Sequence, residues 1–180
     1  MARRIDVVSY NPAWVAKFEA EEKRIKAIFG TNALEIHHIG STAIPGLMAK
    51  PTIDLLLVVN DIEAVDALDP EMKAIGYRPK GENGIPGRRY FQKLAGEVHL
   101  YHVHAFQAGH PEIARHLNFR DFLLHNQDEA TAYQILKLRL ADQFPYDPEG
   151  YNNGKTDFIR EVDQRAASWR LASAKDAYDV

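Results

Sequence analysis

Apolar residues recur at helical spacing from Trp14 through Val15, Phe18, Ile25 and Ile28 to Phe29. Asn11-Pro12 stands where a cap and a first-turn proline belong, and Gly30 closes the helix. Leu34 to Ile39 reads as a strand, and Ile5 to Ser9 as a short edge strand. Thr52-Ile53-Asp54-Leu55-Leu56-Leu57-Val58-Val59 is almost unbroken hydrocarbon at strand length, the mark of a central strand covered on both faces. Between these strands, Gly40 to Gly46 holds two glycines and a proline and reads as a loop. Asp61 predicts a helix cap, with the helix running to Ile75 and ending at Gly76.

Gly81 to Gly87 is glycine-rich and polar, which predicts a mobile connection. Tyr90 to Leu94 and Val98 to Phe106, around Ala95-Gly96-Glu97, predict a hairpin. Helical spacing then predicts helices over Pro111 to His125 and Asp128 to Phe144, with Tyr133, Leu136, Leu140 and Phe144 as the stripe of the second. Asp147 to Asn153 reads as a turn-rich break. A last helix carries Phe158, Ile159, Val162, Ala166 and Trp169, with the chain end expected to fray beyond about residue 170. Strands and helices alternate early and helices cluster late, which predicts one α+β domain over residues 1–180 with a mixed sheet.

Composition narrows the chemistry. The 180 residues include no cysteine, which removes disulfides, thiol nucleophiles and thiolate metal sites. Basic and acidic residues number 22 and 25, a formal charge of -3, so no bulk nucleic-acid binding is expected. Met-Ala-Arg-Arg is followed by no apolar signal stretch, and no apolar run reaches the ~20 residues a membrane span needs. A cytoplasmic protein with no membrane partner is the expectation. The pattern leaves the oligomeric state open.

The strongest motif is Gly40-Ser41, then twelve residues from Thr42 to Ile53, then Asp54 inside the apolar strand. Gly40 lets the backbone approach a phosphate, and amides of the turn can donate to its oxygens. Asp54 could hold a divalent cation beside that phosphate. This resembles the nucleotidyltransferase signature, in which a second acid follows the first by two positions. Here that position is Leu56, so Asp54 stands alone. Paired-metal phosphoryl transfer needs more ligand than one carboxylate supplies.

Histidines offer a replacement. His102 and His104 share a strand face by period two, and with Asp54 and His38 they make a candidate mixed site for Mg²⁺, Mn²⁺ or Zn²⁺. The alternative is a polar, hydrogen-bonded strand face. His99 falls by the same alternation on the opposite face, toward solvent. Lys50, Arg88, Arg89, Lys137 and Lys155 are candidate phosphate contacts, against surface or structural roles for each. Arg120 and Asp121, adjacent on a helix, are expected not to face each other.

His38-Ile39-Gly40-Ser41-Thr42-Ala43-Ile44-Pro45-Gly46-Leu47, Ala49 to Asp54, His102-Val103-His104, Phe119 to Leu123, Tyr133 to Lys137 and Tyr151 to Lys155 occur in that order. Together they resemble the GrpB family, over nearly the whole chain from Val8 to about Ala166. The resemblance implies a nucleotidyltransferase-like fold with basic helices opposite the sheet. It also implies that the absent second carboxylate is a family trait, and that related domains occur appended to dephospho-coenzyme A kinase. Two functions follow as expectations. One is a metal-dependent transferase acting on a nucleotide or other phosphate-bearing small molecule, with Asp54 and Ser41 at its centre and Ser41 orienting a phosphate. The other is a non-catalytic ligand-binding or folding-assistance module linked to coenzyme A metabolism.

Overall fold

The computed structural model describes residues 4–176. Ile53–Val59 (β2) is the strand that the unbroken apolar run predicts, and every residue in it except Asp54 is buried. It lies between Ala33–Ile39 (β1), antiparallel to it, and Val98–Gln107 (β5), parallel to it. Arg88–Ala95 (β4) pairs antiparallel with β5, and Tyr77–Pro79 (β3) completes the sheet in the order β1-β2-β5-β4-β3. The three residues of β3 are too few to show an alternating pattern in the sequence.

Ala13–Phe29 (α1) starts where Asn11 Oδ1 accepts from the Ala13 amide at 2.9 Å. The helix expected from Asp61 to Ile75 forms in two pieces, a 3-10 segment at Glu63–Leu68 and Asp69–Ala74 (α2). Pro70, at the start of α2, lacks the amide and the room a continuous helix needs there. The expected edge strand at Ile5 to Ser9 reduces to one bridge between Val8 and Ala49. Pro111–His125 (α3) and Gln127–Gln143 (α4) match expectation closely. Asp147 to Asn153 is not a simple break. Pro148–Asn153 (α5) forms a short helix, capped by Asp147 Oδ1 on the Gly150 amide at 2.9 Å. Thr156–Asp176 (α6) continues past residue 170, and the frayed chain end expected after it lies outside the described residues.

Three apolar layers fix where the functional face lies. Trp14, Ile25, Phe29, Leu55, Leu57 and Phe91 bury one sheet face under α1 and α2. On the other face Ile39, Leu56 and Phe106 pack with Ile113 and Leu117 of α3. The Gly40 to Leu47 loop is then clamped from above, because Ile44 and Leu47 pack into Phe122, Leu123, Tyr133 and Val162 of α3, α4 and α6. Each fully buried side chain of this kind contributes about 1.5–3 kcal/mol. The helical bundle is thus held down onto the loop that carries the strongest motif. Among the described residues no helix is long and apolar enough to cross a membrane.

Candidate anion-binding site

Asp54 pairs in register with His102 across the parallel β2–β5 ladder, so their side chains leave the same sheet face. Asp54 Oδ1 is 3.1 Å from His102 Nδ1 and 3.7 Å from His104 Nε2. Burial alone would raise the Asp54 carboxyl, but hydrogen bonds from both rings hold it well below the ordinary carboxylate range. His102 Nε2 in turn meets His99 Nδ1 at 2.8 Å. That contact reverses the expectation for His99. Tyr101 pairs with Lys93 but His99 with Leu94, so β5 carries one extra residue there. This bulge turns His99 onto the face of His102, where simple alternation would have sent it away.

Gly40 supplies the turn above Asp54. Its φ is +73°, and a Cβ built on it would lie 2.6 Å from Asp54 Oδ2. Only glycine meets both conditions, the backbone conformation and the close approach to the carboxylate. Beside this turn lies a cavity of about 250 Å³, lined by Gly40, Ser41, Thr42, Thr52, Asp54 and His102 from the sheet side. Lys50, Tyr133, Lys137, Tyr151, Asn152 and Lys155 line it from the loop and the helices. The expected convergence of the Gly40-Ser41 turn, Asp54, His102 and three lysines therefore occurs in one place.

Two tyrosines carry the lysines. Lys137 Nζ sits 4.7 Å from the Tyr133 ring centre and donates to the Met48 carbonyl. Lys155 and Lys50 both lie over the Tyr151 ring, 4.4 Å and 5.3 Å from its centre. Lys137 is only 2 % exposed. Burial first, and Lys155 second, push its ammonium down to about 7. Burial and then Lys50 push Lys155 down to about 8, against the pull of Asp54. Burial drives Tyr133 up to about 12, while a hydrogen bond to Ser41 works the other way. The cavity thus brings three lysines together around one carboxylate, Asp54.

The remaining candidates lie elsewhere. His38 pairs with Leu55, not with Asp54, and so belongs to the α1 side of the sheet. There its ring stacks on Phe18 at 4.8 Å, and its Nε2 meets Thr42 Oγ1 at 2.9 Å. Burial pushes it down to about 4. Arg89 also points away, bound to Asp66 at 2.5 Å and 2.9 Å. Arg88 is buried and structural. It donates to the carbonyls of Glu82 at 3.0 Å and Asn83 at 2.6 Å, and lies 3.4 Å from His104 Nδ1. These bonds pin the Gly81 to Gly87 connection that its composition predicts to be mobile. Neither arginine lines the cavity. Arg120 and Asp121 do meet, at 2.8 Å, because the long arginine side chain folds back along its helix.

The donor set does not fit the divalent ion expected at Asp54. Arg88 only donates, so His104 Nδ1 must be the lone pair and Nε2 the proton, and Nε2 is the atom aimed at Asp54. His102 likewise presents Nδ1 to a carboxylate, which places its proton there. Two rings that offer protons to the carboxylate leave no lone pairs converging on a metal. Among the described residues no group of three or more His, Asp or Glu is arranged to hold one.

Sequence and structure comparisons agree on kinship. The family model described as "GrpB protein" matches residues 4–165. The UPF0157 protein YqkA of Bacillus subtilis is 46% identical over 168 residues, which cover 93% of this chain and 49% of that protein. The chain therefore spans about half the length of this relative. A dephospho-CoA kinase of Mycolicibacterium paratuberculosis is 26% identical over 193 residues, covering 92% of this chain and 46% of the kinase. The crystal structure of conserved protein GrpB from Enterococcus faecalis superposes with a TM-score of 0.89 at 42% identity, covering 92% and 99% of the two chains. A structure of the Cid1 poly(U) polymerase with magnesium and 3'-dATP gives a TM-score of 0.52 at 11% identity, covering 72% and 42%. That likeness concerns the fold alone, and it fits the nucleotidyltransferase-like α+β architecture that the motifs imply.

Proposed function

The chain belongs to the GrpB family, and on that premise we propose that its cavity binds the phosphate groups of a nucleotide or another phosphate-bearing small molecule. The observation that carries this reading is the convergence of Lys50, Lys137 and Lys155 with the Gly40-Ser41 turn on one cavity. Ammonium groups recognise phosphate as point charges, and the turn amides add directed donors. Within a transferase reaction Ser41 would orient a phosphate. Asp54, kept ionised by its histidines, would accept a hydrogen bond from an incoming hydroxyl. Phosphoryl transfer demands mostly positioning and charge stabilisation, which such a site supplies.

A non-catalytic reading has one observation of its own. Leu56, two residues after Asp54, is fully buried against Ile39 and Phe106, so hydrocarbon fills the place of a second acid. In this reading the domain binds its ligand without converting it, and the kinship with a dephospho-CoA kinase points to coenzyme A as a ligand to try. Thermal melts with ATP, CTP, GTP, UTP and coenzyme A test the shared premise. A ligand at 100 times its dissociation constant adds about 2.7 kcal/mol, a shift of about 5–11 °C for a chain of this size. If none of the five moves the melt, the phosphate reading fails. Incubation of a stabilising nucleoside triphosphate with the protein and a hydroxyl-bearing acceptor, followed by chromatography for the nucleotidylated acceptor and released pyrophosphate, separates transferase from binder.

A further inference from the structure

Three cationic side chains and one carboxylate share the cavity, and the carboxylate is already engaged. Lys50, Lys137 and Lys155 line the cavity together with Asp54, whose Oδ1 is committed to His102 at 3.1 Å. Asp54 Oδ2 is crowded by the Gly40 backbone, close enough that a Cβ there would meet it at 2.6 Å. The neighbouring rings turn N–H groups, not lone pairs, toward the carboxylate, because Arg88 holds His104 by its other nitrogen. A divalent cation entering this space would meet three ammonium groups and a single, hydrogen-bonded acid.

A polyanion meets the reverse. The anion offers Lys137 and Lys155 a charged partner beside their carbonyl and ring contacts, and among the described residues that line the cavity Asp54 is the one carboxylate. The aromatic faces of Tyr133 and Tyr151 hold Lys137 and Lys155 in place before any ligand arrives, so little ordering remains on binding. Burial and mutual proximity also leave both lysines short of counter-charge, which an anion would restore.

Resting on the phosphate reading of the site, we infer that the cavity takes a di- or triphosphate group as the free anion, with the three lysines supplying the positive charge that divalent metal supplies in paired-carboxylate transferases. The ligand class is therefore a nucleoside polyphosphate or inorganic polyphosphate not chelated by metal. Magnesium competes with the protein for it.

Isothermal titration with inorganic triphosphate and with ATP, each in EDTA and again in excess MgCl₂ or MnCl₂, tests this. The expected result is binding in EDTA that weakens when metal is added. Lys155→Met should lose about 10- to 100-fold in EDTA, the scale of one lost charge-assisted bond. Asp54→Asn removes the carboxylate that faces the lysines in the cavity and should tighten binding by about threefold or more. A metal-bridged site predicts the opposite for that variant, namely loss of binding. Circular dichroism and a melt confirm that each variant is folded, and the wild-type comparison stands without them. Heat seen only with metal present, or a folded Asp54→Asn that no longer binds, overturns the inference and leaves the phosphate reading standing. No heat under any condition overturns both.

Discussion

Lys137 gives the sharpest quantitative test, because its burial has a signed effect on stability. Its ammonium is displaced to about 7 in the folded chain from 10.5. Between those values the unfolded chain keeps a proton that the native chain has released. Stability must therefore rise with pH across this interval, and the penalty for burying the charge is fully present below about pH 7. The slope approaches about 1.4 kcal/mol per pH unit once the native lysine is neutral. Between pH 7 and pH 9, with the lysine half-charged at the start, this amounts to about 2 kcal/mol. Replacement by Met keeps the length and the apolar stem while removing the titrating group.

Lys137→Met also loses the bond to the Met48 carbonyl, which costs about 1–3 kcal/mol for the acceptor left unpaired. That loss is independent of pH, so it offsets the whole profile and leaves the slope to report on the charge. Urea unfolding followed by the fluorescence of Trp14 and Trp169 should show wild type gaining about 2 kcal/mol more than the variant between pH 7 and pH 9. Lys155, displaced to about 8, keeps some slope of the same sign in the variant. Measurements should stop near pH 10, because Tyr77, Tyr133 and Tyr151 are all raised by burial and reverse the sign above it. Equal slopes in both proteins, or a wild-type stability that falls from pH 7 to pH 9, would refute the account of Lys137 as a buried, uncompensated cation.

Triphosphate binding should take up protons near pH 8 as the lysines regain their charge, so its heat should differ between two buffers of unlike ionisation enthalpy; equal heats contradict this. Gly40→Ala forces a side chain onto φ +73° and onto Asp54 Oδ2, and should lower the melting temperature by several degrees and abolish the phosphate-dependent shift. An unchanged melt would show that the turn is not held against the carboxylate. Arg88→Met removes two bonds to the Glu82 and Asn83 carbonyls; at about 1.5–3 kcal/mol per charged hydrogen bond, limited digestion with a glutamate-specific protease should cut after Glu82 far faster than in wild type, and equal rates would contradict the pinning of this connection. Leu56→Asp should not create a metal site but unfold the chain, since Leu56 is fully buried. A cooperative melt with a manganese-dependent shift would defeat that expectation.

The strands and long helices were legible because their periodicity is strong and their punctuation clear, as with the capped run of α1 and the continuous hydrocarbon of β2. Side-chain direction was legible only where pairing obeyed alternation. Asp54 and His102 meet because β2 and β5 run parallel in register, which no local pattern announces. His38 was misplaced by the register of β1, whose Ile39, not His38, stands opposite Asp54. His99 was misplaced by a bulge with no composition signal. Arg88 and Arg89 offered a clue in their adjacency, since neighbours on a strand leave opposite faces and at most one could have reached the site.

The lysines carried a signal of another kind. Tyr133 and Lys137, then Tyr151 and Lys155, repeat one spacing in which a tyrosine precedes a lysine by four positions. Both lysines lie over the tyrosine of their own pair. A buried lysine on an apolar stripe works against folding, and two of them around one cavity are not explained by packing. In a chain whose formal charge is -3, the phosphate proposed for the cavity would supply negative charge where the fold has gathered these lysines. On that proposal, ligand binding offsets part of the electrostatic cost of burying the lysines and adds to stability as RT ln(1 + [L]/Kd).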